Sequence, residues 1–411
     1  MSIQFKKKRQ PVNPWKGVKG LSRDLWIIYI ATLINRSGTM VLPFLALYLT
    51  SDLHEDAATA GMILTCYGLG SLITAPVMGK LSDKIGSITI MKLSLFFSGC
   101  ILIFYPFIKG FTLLFAVTLL WAVINEAFRP AVMSLISYLA PREKRRVAFS
   151  MNRLIINLGM SIGPVAAGFL ARINFSIIFY VDAITAMLAA AFLTFYPIHY
   201  KINKEVIEKE VEEFQSHKGN VLKDLRFMLF LLALTPATMV IFQHLGAYPL
   251  YLVKDLHFQT STFGMLTAVN TVMIIFIEVP LNTAMSAWSE KKSMALGAFL
   301  IGTGFGITAL VSDVIPLIIS IVIWTFGEMI LFPTSSTFAA EISPPNRRGE
   351  YMGYFQMTFS LALTLGPWLG TLIYSTFGGR EVWFAAFIVG TISTAAMLMI
   401  PEKSVVSKPV N

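Results

Sequence analysis

Charged residues are scarce in this chain: Asp, Glu, Lys and Arg make up 14% of its 411 residues, against about 25% in an average globular protein. Hydrophobic residues make up 55%, and the mean hydropathy is +0.68. A water-soluble core cannot hide that much apolar surface. The composition therefore excludes an ordinary soluble protein and predicts an integral membrane protein.

Cysteine and catalytic motifs are also scarce. The two cysteines, Cys66 and Cys100, fall inside apolar runs, which excludes a disulfide framework and a metal site formed between them. No His-Glu-x-x-His, Gly-x-Ser-x-Gly or Walker lysine is present, and the GTGFG stretch at 302–306 lies within an apolar run with no strand before it. An enzyme and an ATP-driven pump are disfavoured, and no cofactor or metal is expected. A receptor or scaffold remains compatible with the composition, although the buried titratable groups described below disfavour it.

Long apolar runs are what the sequence has in abundance. They predict an all-α membrane protein with twelve transmembrane helices, spans 1 to 12, at about 25–49, 57–79, 88–108, 112–139, 148–171, 174–197, 224–252, 260–284, 293–311, 315–340, 350–375 and 381–400. Several spans contain proline, which membrane bundles tolerate as kinks because neighbouring groups satisfy the freed carbonyls.

The distribution of basic residues predicts the orientation. An even number of spans puts both termini on one side, and most lysines and arginines are assigned to that side, in the termini, the loops and the span ends. The exceptions are Lys109, Arg172, Lys254 and Arg380 in the opposite loops, and Arg36 and Arg129 inside spans. This asymmetry predicts cytoplasmic termini and a multi-pass protein of the cell (inner or plasma) membrane. The net charge of +10 is thus attributed to the membrane surface and not to nucleic acid.

The expected domain organisation follows from these spans. A basic N-terminal arm (1–24) precedes a six-helix bundle (25–197), a cytoplasmic linker (198–223), a second six-helix bundle (224–400) and a cytoplasmic tail (401–411). Helical spacing of apolar residues in KINKEVIEKEVEEFQ predicts a short amphipathic helix on the membrane surface within the linker. The protein is expected to be a monomer that contacts the lipid bilayer, a small-molecule substrate and protons.

The two halves repeat one another at a shift of 203 residues. YL at 48–49, DLH at 52–54 and GM at 61–62 recur at 251–252, 255–257 and 264–265, and the GP pair at 163–164 recurs at 366–367. One ungapped offset over more than a hundred residues predicts two pseudo-symmetric six-helix bundles. Parallel repeats of this kind form carriers that hold substrate between the halves near the middle of the bilayer and expose it to each side in turn.

A resemblance to a known family appears in the loop between spans 2 and 3. GKLSDKIG (79–86) is similar to the Gly-x-Leu-x-Asp-Arg/Lys-x-Gly signature of the major facilitator superfamily. The resemblance implies a gating motif made of Gly79, Asp83, Lys84 and Gly86. Asp83 is expected to accept hydrogen bonds from a helix N-terminus or to pair with a basic neighbour, which would hold the cytoplasmic side closed. The alternative is a turn without a gating role.

Span 5 carries a second resemblance. GMSIGPVAAG (159–168) is similar to the exporter signature of the superfamily, with Gly159, Gly163, Pro164 and Gly168 in matching positions. The resemblance favours the drug:proton antiporter branch. Small residues allow close helix packing, and we expect span 5 to use them against the other half. Packing without any link to export direction is the alternative.

Several charges lie inside the predicted spans. In NEAFRP (span 4), Asn125 and Glu126 lie near mid-depth, and Glu126 has the helical spacing to pair with Arg129. Arg129 resembles the span 4 arginine of proton-driven superfamily members. The predicted role is proton coupling or substrate binding, and the alternative is a static ion pair.

Span 10 carries the most isolated charge. Glu328 is the only charged side chain between Val314 and Ala340, a stretch of about 40 Å at roughly 1.5 Å per residue. An ionised carboxylate at mid-bilayer is costly, so it is expected to face a cavity or a partner. Asn35 and Arg36 in span 1 are predicted to line the same cavity, with Glu328 or Glu126 as the partner of Arg36. Further candidates are Glu278, His244 and Asp182, for each of which a structural role is preferred.

These features predict a secondary active transporter, namely a proton-coupled exporter (antiporter) of small amphipathic molecules that works by alternating access. The carboxylates are expected to gain and lose protons as access switches. The alternative is a proton-coupled uptake symporter for peptide-like or other small metabolites.

Overall fold

The computed structural model describes residues 16–55, 57–171, 173–198, 221–258 and 260–401. Within these ranges, twelve helical segments are long and apolar enough to cross a membrane, which confirms the predicted all-α fold. The spans are Arg23–Leu45, Met62–Ile85, Ser87–Phe107, Phe111–Leu139, Arg142–Ala171, Phe175–Phe195, Leu225–Leu245, Met265–Ala284, Glu290–Leu310, Val314–Ile342, Pro345–Phe377 and Gly379–Met399. Most of the predicted N-terminal arm, the linker helix, Arg172 and the tail lie outside the described residues.

Span 1 is a broken helix whose second part is held by span 6. The first helix is Arg23–Ser37, and the second, Val41–Leu47, follows after Gly38. The Oδ2 atom of Asp182 accepts hydrogen bonds from the backbone N–H groups of Met40 and Val41, each at 3.0 Å. These N–H groups have no partner within the helix, so the carboxylate caps it. Asp182 thus has a structural contact in span 1, as the sequence favoured.

Span 4 bends where its charged residues lie. A single residue, Ala127, separates the helix Phe111–Glu126 from the helix Phe128–Leu139. Pro130 has no N–H to donate to the carbonyl of Glu126 four residues earlier, which explains the break at this point. The bend brings the end of one helix, with Asn125 and Glu126, next to the start of the other, with Arg129.

The internal repeat is visible in the backbone. Leu53 N donates to Tyr48 O and Leu256 N donates to Tyr251 O, each at 3.1 Å, so both halves have the same wide turn after the first span. Each turn is followed by a histidine in the left-handed region, His54 with φ 58° and His257 with φ 55°. Few non-glycine residues adopt this conformation. Its occurrence at equivalent positions supports the alignment of the halves at a shift of 203 residues.

Spans 2 and 5 of the N-terminal bundle pack against the C-terminal bundle. Span 2 packs along span 11, and span 5 packs along spans 8 and 10. We call the end of the molecule with the turns at 86, 140–144, 285–289 and 343–347 the basic end, because Lys84, Arg142 and Arg347 lie there. At the opposite end, the N-terminal bundle has an aromatic core of its own, in which the ring of Tyr48 packs 4.7 Å from that of Phe179.

Close backbone contact between spans 9 and 12 stabilises the C-terminal bundle. A Cβ atom added to Gly390 would lie 2.4 Å from the Cα atom of Gly302. A backbone atom cannot move aside as a flexible side chain does, and small residues allow this close approach in membrane helices.

Gly390→Ala is therefore expected to destabilise the protein, although alanine is the better helix former by about 1 kcal/mol. Overpacking of this kind costs about 1–3 kcal/mol, which should lower the midpoint of thermal unfolding in detergent. Gly168→Ala is the matched control, since its Cβ would lie 3.9 Å from the nearest heavy atom, Cζ of Phe44. A variant Gly390→Ala at least as stable as Gly168→Ala would show that this crossing is not tight.

Candidate functional site

The bend in span 4 holds the first charged cluster. Arg129 Nη1 lies 3.2 Å from Glu126 Oε2, which confirms the pairing expected from their spacing. Tyr67 of span 2 donates its hydroxyl to Glu126 Oε1 at 2.9 Å and accepts from Asn125 Nδ2 at 2.7 Å. Both carboxylate oxygens of Glu126 are thus hydrogen-bonded, which favours its ionised form. We call these residues, together with Arg36, the N cluster.

Arg36 approaches the N cluster from span 1. Its guanidinium group interacts electrostatically with Arg129 and Glu126, and its buried Nε atom has no hydrogen-bond partner. Of its two expected partners, Glu328 and Glu126, the structure brings only Glu126 close. Both carboxylates lie at a depth in the bilayer that would allow an ion pair with Arg36, but Glu328 forms its ion pair with a different arginine.

That arginine is Arg153 of span 5. Its Nη2 lies 2.7 Å from Glu328 Oε1, and its Nη1 lies 3.5 Å from Glu278 Oε2. Nη1 also donates to the backbone carbonyl of Glu328 at 3.2 Å, and Asn270 Nδ2 donates to Glu328 Oε2 at 2.8 Å. The guanidinium carbon lies 4.7 Å from the centre of the Phe332 ring. We call Arg153, Asn270, Glu278 and Glu328 the C cluster.

The two carboxylates of the C cluster have different surroundings. Glu328 is 9% exposed and accepts hydrogen bonds on both oxygens. Glu278 is 0% exposed, and neither of its oxygens accepts a hydrogen bond. Two carboxylates that share one guanidinium carry an excess negative charge when both are ionised, which is costly in a buried site.

The C cluster links the two bundles. Arg153 belongs to span 5 of the N-terminal bundle, whereas both carboxylates belong to spans 8 and 10 of the C-terminal bundle. A change in the charge of either carboxylate thus changes the attraction between the bundles. Any motion that separates span 5 from spans 8 and 10 must also break these contacts.

The predicted gating motif lies where spans 2 and 11 are in direct contact at the basic end. Asp83 Oδ1 and Oδ2 accept from the N–H groups of Gly349 and Glu350 at 2.7 and 2.8 Å, at the N-terminus of the helix Arg348–Phe377. This is the contact that the sequence predicted for Asp83. A Cβ atom on Gly79 would lie 2.2 Å from Gly349 O, so glycine is required for this approach.

The other two motif residues lie at the turn. Lys84 is exposed, and Gly86 has φ +93°, a left-handed conformation that suits glycine, before the helix of span 3 begins. On the same end, Arg146 Nη1 donates to Met285 O at 2.6 Å, and the hydroxyl of Tyr138 donates to Pro345 O. Spans 4 and 5 are thereby tied to the C-terminal bundle.

The glycines of span 5 have a different neighbour from the one predicted. A Cβ atom on Gly159 would lie 2.6 Å from Arg36 Cβ, and one on Gly163 would lie 2.8 Å from Thr39 O. The expectation that this motif packs against the other half is therefore wrong: Gly159 and Gly163 face span 1 of the same bundle. Gly168 makes only ordinary contact with Phe44, and Pro164 lies within the same helix. The glycines allow span 5 to approach the backbone that carries Arg36.

Sequence reasoning missed Arg153, Asn270 and Tyr67. Arg153 lies within the predicted span 148–171 and could have been recognised as a further charge inside a span. The repeat also held a signal: the shift of 203 residues relates Tyr67 to Asn270 and Asn125 to Glu328. The hydrogen bonds Asn125–Tyr67 and Asn270–Glu328 join residues 58 positions apart in both halves.

Two further predicted residues, His244 and Asn35, have hydrogen bonds within their own segments. His244 is in the short turn Phe242–Leu245, where its Nδ1 lies 2.7 Å from Ile241 O in its own segment, as the structural alternative predicted. Asn35 is buried in span 1, and its backbone carbonyl accepts from the N–H of Gly38 at 3.2 Å. In the part of the chain that the structure describes, no three His, Cys, Asp or Glu side chains form a group that could hold a metal ion.

Two related six-helix bundles with charged side chains buried between them define a membrane carrier. The chain belongs to the Major Facilitator Superfamily, whose family model matches residues 25–259 and 239–411. It is a multi-pass membrane transporter and not an enzyme, as the sequence predicted.

Relatives of the chain match it over most of its length. It is 26% identical over 384 residues to the uncharacterized MFS-type transporter YqjV of Bacillus subtilis (92% of each chain). It is 22% identical to a Na(+), Li(+), K(+)/H(+) antiporter of Planococcus maritimus (85% of this chain, 89% of that one). It is 24% identical to a class H tetracycline resistance protein of Pasteurella multocida (86% and 90%).

Among solved structures, the chain is similar to a bacterial homologue of the iron transporter ferroportin in an outward-facing state. The TM-score is 0.74 with 15% identity, over 92% of this chain and 99% of that one. This likeness confirms the fold of two six-helix bundles.

Proposed function

We propose that this transporter is a proton-coupled antiporter that exports small amphipathic molecules by alternating access. One observation carries the proposal: two carboxylates of the C-terminal bundle share a single arginine of the N-terminal bundle. Proton binding in such a cluster directly alters the attraction between the two bundles. The protein is proposed to lie in the inner or plasma membrane of the cell. In the proposed orientation, the basic end and both termini face the cytoplasm.

The proposed proton site is Glu278. Glu278 is fully buried, and its carboxylate oxygens accept no hydrogen bond. Protonation of this carboxylate therefore breaks no hydrogen bond to the protein, and it removes a charge that is costly to bury. Glu328 is held by Arg153 and Asn270, and these contacts suit an ionised carboxylate. With one proton on Glu278, the remaining charges of Glu328 and Arg153 balance.

The transport cycle follows from this balance. In the described state the basic end is closed by spans 2 and 11 and by the C cluster, so the protein is proposed to be open to the outside. A proton delivered from outside to Glu278 removes one of the two charges that hold Arg153 and allows span 5 to separate from spans 8 and 10. At the cytoplasmic side the proton leaves, substrate enters, and the restored ion pair closes the basic end again.

The relatives support antiport of this kind at low identity: one is named as a cation/proton antiporter and another as a tetracycline resistance protein. The repeat architecture and the gating motif are equally suited to uptake. Antiport and symport differ in the direction of proton movement.

Proteoliposomes with a trapped pH-sensitive dye test the proposal and its alternative together. When an amphipathic compound is added outside at equal pH, antiport moves protons out and makes the lumen more alkaline. Symport would make the lumen more acidic. A panel of cationic, neutral and anionic compounds should contain at least one that gives the alkaline response, absent from protein-free liposomes. Acidification alone, or no proton movement with a compound that is transported, would overturn the proposed antiport.

A further inference from the structure

We propose that the substrates carry an acidic group, a carboxylate or similar anion, that binds between Arg36 and Arg129 in the N cluster. This rests on the proposed transport function and names its substrate class. The N cluster would bind the anionic end of the substrate, while the C cluster binds the proton.

The balance of charge in the N cluster is the first observation. Arg36 and Arg129 lie close enough to interact unfavourably with one another, and Glu126 is the carboxylate that both approach. Two guanidinium groups around one carboxylate, with that of Arg36 buried and that of Arg129 partly exposed, leave an excess positive charge. Such charges inside a membrane protein require a partner or an anionic ligand.

The hydrogen-bonding capacity of the cluster is the second observation. Glu126 already accepts from Tyr67 on one oxygen and from Arg129 on the other. The guanidinium of Arg36 has a buried Nε atom without a partner, and the side chain of Arg129 is 39% exposed. Donors therefore remain for a ligand, and guanidinium groups bind carboxylates and phosphates in a forked, two-hydrogen-bond geometry.

Asp182 does not remove this excess charge. Arg36 interacts more weakly with Asp182 than with Glu126. The Oδ2 atom of Asp182 accepts from two backbone N–H groups at the start of the helix Val41–Leu47, so its charge is balanced locally.

The position of Arg36 is fixed by span 5, which is the third observation. The contact of Gly159 with the Cβ and carbonyl carbon of Arg36 leaves the base of this side chain little freedom. Span 5 also carries Arg153 of the C cluster. The same helix thus touches both the proposed anion site and the proton site, which gives substrate binding a direct mechanical route to the proton site.

Binding of three naphthalene compounds tests the proposal without any pH gradient. The probes are 2-naphthoate, 2-naphthamide and 2-naphthylmethylamine, which share one apolar body and are anionic, neutral and cationic at pH 7. Isothermal titration calorimetry with the purified full chain in uncharged detergent should give a Kd for the carboxylate at least tenfold below that for the amide. Tenfold corresponds to about 1.4 kcal/mol.

The arginine variants make the test specific. Arg129→Gln and Arg36→Gln should each remove the preference for the carboxylate, whereas Arg129→Lys, which keeps the charge, should retain part of it. Glu143→Gln, which removes an exposed charge at the basic end outside both clusters, should keep the preference. Size-exclusion profiles and unfolding midpoints identify any variant that fails to fold. If a variant fails to fold, the affinities of the parent protein for the three compounds still test the proposal.

Equal or tighter binding of the amide or the amine to the parent protein would overturn the proposal. So would an unchanged carboxylate preference in both arginine-to-glutamine variants. Either result would leave the proposed antiport intact, since proton coupling is read in liposomes. Conversely, a lack of proton movement together with the expected binding preference would overturn the antiport and keep the anion site.

Discussion

Proton movement coupled to transport should fall at least 100-fold in Glu328→Gln and in Glu278→Gln, while exchange of labelled for unlabelled substrate continues. Each substitution leaves Arg153 with a single carboxylate, so the cluster is balanced without taking up a proton. A glutamine keeps the size of the side chain and part of its hydrogen bonding. The expected defect is therefore in coupling and not in folding.

The two variants should differ in the strength of the link between the bundles. Glu328→Gln removes the contact at 2.7 Å, whereas Glu278→Gln removes the longer one at 3.5 Å. We expect the basic end to open more readily in Glu328→Gln. Proteoliposomes with a trapped pH-sensitive dye measure coupling, and isotope exchange at equal pH measures the transport that remains.

Glu143→Gln is the matched control. Glu143 is exposed at the basic end, so this substitution makes the same chemical change outside the two clusters. It should retain full coupling. Proton movement at parental levels in both Glu328→Gln and Glu278→Gln would show that the C cluster is a static link between the bundles.

Gly349→Ala should shift the protein towards a state open at the basic end and reduce transport at least tenfold. Its Cβ atom would lie 2.3 Å from Gly79 O and 2.7 Å from Asp83 Oδ1. The carbonyl belongs to a helix backbone and cannot move aside, so spans 2 and 11 must separate where Asp83 caps span 11. The closed state loses stability, whereas a state with these spans apart is unaffected.

Disulfide cross-linking measures this shift. The hydroxyls of Ser71 in span 2 and Ser360 in span 11 lie 3.1 Å apart, so Ser71→Cys with Ser360→Cys, in a background without Cys66 and Cys100, should cross-link readily. Adding Gly349→Ala should reduce the cross-linked fraction. Gly68→Ala is the control on the same pair of spans, because its Cβ would meet only Thr364 Oγ1, at 3.8 Å. Equal cross-linking in the two backgrounds would argue against the close contact of spans 2 and 11 as the gate.

Much of the architecture could be predicted from the sequence because it depends on local patterns. Apolar runs indicated the spans, a fixed shift indicated the repeat, and the motif around Asp83 indicated a capped helix N-terminus, which the structure shows at Gly349 and Glu350. In each case the information lies in residue type and spacing along the chain.

The partners of buried charges could not be predicted in this way. Sequence position gives the depth of a side chain in the bilayer but not the direction in which it points around the bundle. Arg36 and Glu328 lie at a similar depth in the bilayer, yet Glu328 pairs with Arg153, and Arg36 lies near Glu126 instead. For the same reason, the glycines of span 5 predicted a close helix contact but not that span 1 would be the neighbour.

The distance between the bundles at the basic end, measured as a function of pH, tests the central claim most directly. Spin labels on Lys84→Cys in span 2 and Lys292→Cys in span 9, both exposed side chains of different bundles, report this distance by double electron–electron resonance. Acidification should lengthen it in the parent protein, and the double variant Glu278→Gln/Glu328→Gln should show a distance that no longer depends on pH. If the double variant follows the same pH dependence as the parent, protons act on the bundles elsewhere and the proposed role of the C cluster is wrong.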